Sequence, residues 1–226
     1  MYNVRDLGGL PAGDGRVTRF GAVVRSDNPR GLTQAGIAAL RRHGVRSVVD
    51  LRDPVELERH GPLPQLGLER FHVSVLDLGD EEFWAGWRGR YDAVAFYREA
   101  LERWASRWSD AIAAIARAPR GGVLVHCHVG RDRTGMVCAL ALSVAGVPPE
   151  TIAEDYALSA ERLRPLYDEW LAAEQDPKVR ARLERENVSD AAAMLTILEE
   201  LDAERFLLDA GAAPEDLAAL QARLLE

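Results

Sequence analysis

Short apolar runs alternate with amphipathic segments along the first two thirds of the chain. The valine-rich runs "VRSVVDLR" (45–52) and "GGVLVHC" (121–127) lie between turn residues and predict buried strands. The segment 33–44 precedes the first of these runs and starts with Thr33, which can act as an N-cap, so it predicts a helix. Residues 16–26 predict a small strand pair, and 69–78 a third extended run. Strand and helix therefore alternate from the start.

Longer periodic segments predict helices. Apolar residues recur at three- and four-residue steps from Tyr91 to Pro119, which predicts one long amphipathic helix. The segment 134–146 is apolar nearly all round and predicts a buried helix that stops at Gly146. A further helix begins where Asp53 can act as N-cap before Pro54. The rest of the chain predicts helices at roughly 149–163, 165–175, 178–186, 189–210 and 214–225.

This pattern predicts an α/β fold, with a mainly parallel central sheet flanked by helices and a helical C-terminal third. The length of 226 residues fits a single domain over 1–226. Hydrophobic residues at 47% and charged residues at 28% are ordinary for a globular domain. The net charge of −8, without a block of Lys or Arg, argues against nucleic acid as a partner.

Membrane and export signals are missing from the pattern. No run of roughly 18 apolar residues is present, so we expect no integral membrane association. The first residues lack the apolar core of an ordinary signal peptide, and the two cysteines are too few for a disulfide framework. We therefore expect a cytoplasmic protein, with export by another route left open.

The stretch "HCHVGRDRTG" (126–135) connects a predicted strand to the predicted buried helix. In such a turn the backbone N–H groups and the helix N-terminus converge on one point and hold an oxyanion. Arg133 adds a planar fork for two oxygens, and Gly130 and Gly135 let the backbone approach closely. In that electropositive setting we expect the thiol of Cys127 to ionise readily and to act as a nucleophile on phosphorus.

Six positions of this stretch resemble the signature of the cysteine-dependent protein tyrosine phosphatases. They are His126, Cys127, Gly130, Arg133, Thr134 and Gly135. Four other blocks resemble a bacterial branch of that family, typified by a mycobacterial tyrosine phosphatase: "NVRDLGGL" (3–10), "VVRSDNPRGLTQAG" (23–36), "VVDLRDPVE" (48–56) and "DYALSAE" (155–161). The resemblance implies a tyrosine phosphatase-like fold, in which the cysteine attacks and the arginine binds the phosphoryl group. It departs at Arg131, where that branch usually has lysine.

Roles follow for the rest of the stretch. Thr134 can donate its hydroxyl to the sulfur when the sulfur leaves. His126 and Asp50 are supporting residues: the histidine orients the loop, and Asp50 either takes part in the site or merely pairs with Arg52. The predicted substrate-binding residues are His128, Val129, Gly130, Arg131 and Thr134.

The general acid that protonates the leaving group has several candidates. Two flanking arginines should lower the pKa of Asp132 and keep it ionised, whereas the negative charges of the thiolate and of a bound phosphate should raise that pKa. The resemblance favours Asp132. Asp77 and Asp80 on a separate loop are the alternatives, followed by Asp50.

The expected activity is phosphomonoester hydrolysis through a cysteinyl-phosphate, on phosphotyrosine and with dual specificity as an extension. The alternatives are a phosphoinositide phosphatase and a catalytically silent phosphate-binding module. No cofactor is implied, and no metal, because His126 and His128 lack a cluster of further ligands. Residues 161–186 predict core packing, with a lid over the site as the second hypothesis.

Overall fold

Five strands form one sheet in the computed structural model, which describes residues 1–13, 15–186 and 190–225. They are β1 (Arg5–Asp6), β2 (Val23–Ser26), β3 (Val45–Asp50), β4 (Glu69–His72) and β5 (Gly122–His126). The order is β1-β2-β5-β3-β4, and all neighbours are parallel except the antiparallel edge strand β1. The last residues of β2, β5 and β3 pair in register as Ser26, His126 and Asp50, so three strands end at one edge.

Helices account for most of the remainder. They are α1 (Gln34–Arg42), α2 (Pro54–His60), α3 (Glu81–Trp87), α4 (Ala93–Arg103), α5 (Ala105–Arg117), α6 (Asp132–Val144), α7 (Pro149–Ala173), α8 (Pro177–Glu186), α9 (Ala191–Glu200), α10 (Ala203–Asp209) and α11 (Pro214–Leu224). The predicted α/β class with a mainly parallel sheet and a helical last third is confirmed.

The two faces of the sheet bury different cores. Val48 and Leu124 pack towards α1, whereas their neighbours Val49 and Val125 belong to the large core on the other face. This division follows from the period of two along a strand. Helix α6 lies in the large core and is buried on almost every side, which fits its nearly continuous apolar sequence.

The prediction of a single long helix from Tyr91 to Pro119 is wrong. Trp104 leaves the helical conformation, with φ −122° and ψ 36°, and separates α4 from α5. Its ring packs against Phe83, with ring centroids 4.5 Å apart, in an aromatic cluster beneath α3. Packing of the tryptophan thus overrides a periodicity that the local sequence would carry straight through.

Two other helix predictions are corrected. Pro165 does not separate two helices: α7 continues from Pro149 to Ala173, because the proline stands on the exposed face. The helix expected at 189–210 is two helices, since Asp202 caps a new start at α10 by accepting from the Arg205 N–H at 3.0 Å. Residue 189, its expected beginning, lies outside the described residues.

Candidate active site

A tight loop connects the end of β5 to the start of α6, and we call residues 127–133 the signature loop. Within the described chain, the backbone N–H groups of residues 128–131 donate to no protein acceptor. The N-cap position of α6, Arg131, supplies no capping side chain either. N–H groups left open at a helix N-terminus form an anion-binding site.

Gly130 gives the loop its curvature. Its φ is +69°, and a Cβ at this position would lie 2.2 Å from the carbonyl oxygen of Ser26 at the end of β2. Both the backbone conformation and the close approach require glycine.

The loop rests on side chains from the distant sequence blocks. The amide of Asn3 donates to the carbonyl oxygens of Val129 (3.3 Å) and Gly130 (2.9 Å). The buried guanidinium of Arg25 donates to the same Gly130 oxygen at 2.9 Å. These donors satisfy the loop carbonyls, whereas the loop N–H groups have no protein acceptor in the described chain.

A buried ion pair network fixes those donors. Asp155 of α7 accepts from Arg5 at 2.7 Å and from Arg25 at 2.8 Å, and Ser159 accepts from Arg5 at 3.1 Å. Burial acts to raise the pKa of Asp155, but the two arginines lower it below its usual value. Three of the four blocks that resemble the family outside the signature, 3–10, 23–36 and 155–161, therefore form a scaffold for the loop.

Cys127, Thr134 and Arg133 lie within the loop and the first turn of α6. Cys127 is 2% exposed, and the Thr134 hydroxyl is buried without a protein partner in the described part. Both terminal nitrogens of Arg133 bind the carboxylate of Glu56 on α2, one of them at 2.8 Å. Burial would lower the pKa of Arg133, but the nearby Cys127 and Glu56 raise it, so the guanidinium stays charged.

His126 and Asp50 are fully buried beneath the loop. His126 Nδ1 lies 2.9 Å from the carbonyl oxygen of Cys127, and burial lowers the pKa of His126 to about 4. Asp50 pairs with Arg52 at 2.7 Å and Arg70 at 3.0 Å. Burial acts against ionisation, yet Arg52 and His126 bring the pKa of Asp50 down to about 2. A neutral histidine can orient the loop, whereas Asp50 is an ion-pair partner with no proton to donate.

The second half of α7 covers three of the predicted substrate-binding residues. The His128 ring stacks on Trp170, with centroids 6.2 Å apart, and Val129 packs into a small cluster centred on Tyr167. Arg131 is 8% exposed and donates to the Tyr167 hydroxyl at 3.2 Å. All three side chains contact α7, and their backbone N–H groups have no protein acceptor in the described chain.

Asp132 lines a cavity of about 490 Å³. Its Oδ1 accepts from the Tyr97 hydroxyl at 2.9 Å and from Tyr156 at 3.3 Å, and Arg131 Nε lies 3.2 Å from Oδ2. Loss of solvent would raise the pKa of Asp132, but Arg131 and the Tyr97 hydroxyl lower it below the usual value. The side chain is still 39% exposed towards the cavity.

The alternative acids are engaged elsewhere. Asp77 pairs with Arg107 at 2.9 Å and lines a different cavity with Asp53. Asp80 caps α3 and pairs with Arg103. Neither shares a hydrogen bond or a cavity with the signature loop in the described part of the chain.

Sequence reasoning missed three residues that contact the loop. Glu56 is recognisable only as the third residue of a helix start, and its capping role is real: it also accepts from the Asp53 N–H at 2.8 Å. Tyr97 falls on the apolar face of an amphipathic helix, where its hydroxyl gives no signal. Tyr156 lies inside block 155–161, which resembles the family but indicates no role for this residue.

In the described residues, no three or more His, Cys, Asp or Glu side chains are grouped so that they could hold a metal ion. Among the described helices, none combines the length and the apolar character that a membrane span requires.

The sequence is similar to those of known phosphatases from two bacteria. A tyrosine-protein phosphatase of Cupriavidus necator is 32% identical over 173 residues, covering 72% of this chain and 62% of that protein. The triple specificity protein phosphatase PtpB of Mycobacterium tuberculosis is 28% identical, covering 80% and 79%. The chain thus spans about three fifths of the first relative's length.

A likeness also extends to a solved structure, the core catalytic domain of the PP-IP phosphatase SIW14 from S. cerevisiae. The TM-score is 0.44 at 15% identity, over 89% of this chain and 93% of that one. The profile of the tyrosine phosphatase family matches residues 1–226. Because the match runs from end to end and includes the signature loop with its scaffold, the chain belongs to the tyrosine phosphatase family.

Proposed function

We propose that the protein hydrolyses phosphomonoesters through a cysteinyl-phosphate on Cys127, with phosphotyrosine in proteins as its principal substrate. The observation that carries the proposal is the signature loop, which combines open N–H groups, the buried Cys127 thiol and the charged Arg133 within seven residues. Membership of the tyrosine phosphatase family supports the same reaction. Two free, buried cysteines are consistent with a cytoplasmic setting.

The first step is an attack of the Cys127 thiolate on phosphorus. An S–P bond forms while the bond to the leaving oxygen breaks, and the leaving oxygen takes a proton from the general acid. The loop N–H groups and Arg133 stabilise the charge that builds on the phosphoryl oxygens. His126, held neutral below the loop, orients the Cys127 carbonyl and leaves the proton transfer to another group.

The second step returns the enzyme to its starting state. Water attacks phosphorus, its proton goes to the carboxylate of the acid, and the S–P bond breaks to release phosphate. The buried Thr134 hydroxyl, which has no protein partner in the described chain, is our candidate donor to the departing sulfur.

Asp132 is our choice for the acid, because it is the candidate carboxylate that adjoins the loop and is open to a cavity. Asp132→Asn should lower kcat by about 10²- to 10⁴-fold. Asp77→Asn, on another cavity, is the matched control and should retain the wild-type rate. A larger loss from Asp77→Asn than from Asp132→Asn would overturn this assignment.

The test of the reaction itself is hydrolysis of p-nitrophenyl phosphate. Cys127→Ser should abolish turnover and keep vanadate binding, whereas Cys138→Ala, which changes the other buried cysteine, should remain active. Activity that survives in Cys127→Ser would exclude the cysteine mechanism. Vanadate binding without any wild-type turnover would favour a silent phosphate-binding module.

A further inference from the structure

The cavity beside Asp132 is open to solvent and continuous with the signature loop. Its volume of about 490 Å³ falls within the roughly 300–1,000 Å³ of typical ligand pockets. Arg131 and Asp132 belong both to its wall and to the loop, so the cavity adjoins the position that we propose for the substrate phosphate.

Aromatic rings form the inner walls of this cavity. Trp87 and Phe96 pack edge to face, with centroids 5.3 Å apart, and Tyr97 lies against Phe96 at 5.9 Å. The guanidinium of Arg90 sits 4.0 Å from the Trp87 ring, which shows that this wall tolerates a cation on a hydrocarbon stem.

Carboxylates form the rim. Asp92 and Asp190 are exposed, and each caps a helix by accepting from a backbone N–H, at 3.0 Å from Ala95 and 2.9 Å from Ala193. Capping fixes the side chains in place but does not neutralise them, and neither forms an ion pair within the described residues. Of the two arginines in the lining, Arg131 is already paired with Asp132.

We propose that this cavity is a specificity subsite that binds a lysine or arginine side chain flanking the phosphotyrosine of a substrate protein. The hydrocarbon stem lies along the aromatic wall, and the charged end reaches the carboxylates of Asp92 and Asp190. The same rim repels the additional phosphates of a phosphoinositide headgroup. The inference rests on the proposed function, since it supplies the neighbours of the scissile phosphate.

The test compares two phosphotyrosine peptides that differ only in lysine or glutamate at the flanking positions. The wild-type protein should show kcat/KM about two- to fivefold higher for the lysine peptide, as expected for exposed charge pairs. The double variant Asp92→Asn, Asp190→Asn should bring the ratio close to one. Asparagine keeps the capping oxygen, so α4 and α9 retain their N-caps.

A matched control removes two charges elsewhere. Glu204→Gln with Asp209→Asn changes exposed carboxylates of α10, outside this cavity, and should keep the wild-type ratio. Equal rates for the two peptides in wild type, or an unchanged ratio in the Asp92, Asp190 variant, would overturn the subsite. A preference for a soluble short-chain phosphatidylinositol bisphosphate over the lysine peptide would also overturn it.

Binding separates this inference from the proposed reaction. Labelled peptides titrated onto the Cys127→Ser variant should show the same lysine preference by fluorescence anisotropy. If the variant binds selectively but the wild-type protein shows no turnover, the reaction is refuted and the subsite is supported. If the wild-type protein turns over substrate without selectivity, the reaction is supported and the subsite is refuted.

Discussion

The acid in the middle of the signature loop is held by two tyrosines. The Tyr97 hydroxyl donates to Oδ1 of Asp132 at 2.9 Å. The Tyr156 hydroxyl, whose oxygen lies 2.7 Å from that of Tyr97 and 3.3 Å from the same Oδ1, shares its one proton between these two acceptors. Such donors stabilise the carboxylate and lower its pKa, in the opposite direction to what an acid at neutral pH requires. A bound phosphate dianion supplies the opposing charge, so protonation of Asp132 is coupled to the presence of substrate.

Tyr97→Phe should therefore move the alkaline limb of the pH profile to higher pH. Without the hydroxyl the pKa of Asp132 rises, and because a general acid works while protonated, activity persists further into the alkaline range. The measurement is kcat for p-nitrophenyl phosphate across pH 4 to 9, because kcat reports the pKa of the acid in the enzyme–substrate complex. Tyr156→Phe, which removes the longer bond of 3.3 Å, should give a smaller shift. An identical profile for both variants and wild type would argue against Asp132 as the acid.

At the scale of elements, the scaffold behind the loop joins the first residues of the chain to α7. Asp155 is 8% exposed and balances two buried arginines, so its loss leaves like charges facing each other without solvent. Asp155→Asn should lower the free energy of unfolding by about 3–5 kcal/mol. Urea denaturation measures this value.

An exposed ion pair provides the contrast for that variant. Glu200 pairs with Arg98 at 2.7 Å, but both side chains are about half exposed. Glu200→Gln should cost less than about 1 kcal/mol. If the two variants proved equally mild, the buried network would not be what holds the loop.

The end of α7 and α8 form a separate element that packs on the loop through its own small cluster. Leu163, Tyr167 and Leu183 are buried there, apart from the large core. If this element acts as a lid, vanadate at the signature loop should slow proteolytic cleavage across residues 161–186. Cleavage that is equally fast with and without vanadate would support plain core packing instead.

The sequence predicts the strands and the signature loop well, because both depend on residues that are close to one another in the sequence. Val45–Asp50 and Gly122–His126 follow from apolar runs between turns, and the oxyanion loop from its glycines and arginine. The contacts of Glu56 and Tyr97 cannot be read in this way. Each depends on a residue at least 35 positions away, brought close by the parallel sheet and by the bend at Trp104.

For the whole molecule, the buried histidine beneath the loop makes stability depend on pH. Burial lowers the pKa of His126 to about 4, against about 6.5 in an unfolded chain. Between those pH values His126 is protonated in the unfolded chain and neutral in the folded protein. The free energy of unfolding should therefore fall as pH drops from about 6.5 to about 4, by about 1.4 kcal/mol per unit for this group.

Asp50 extends the loss to lower pH. Because its pKa is lowered to about 2, the ion pairs that it forms are kept near neutrality and lost as pH falls from about 4 towards 2. Urea titrations at several pH values would test both windows. His126→Asn should flatten the slope above pH 4, and the same slope in variant and wild type would contradict the assignment to His126.

The bonds from Asn3 and Arg25 to the Gly130 carbonyl have one more consequence. A loop already held in its binding shape spends no conformational entropy on closing around an anion. Inorganic phosphate, the product, meets the same prepared cradle as the ester does. We therefore expect competitive product inhibition, so that turnover would fall as the phosphate concentration rises and would depend on phosphate as well as on the supply of substrate.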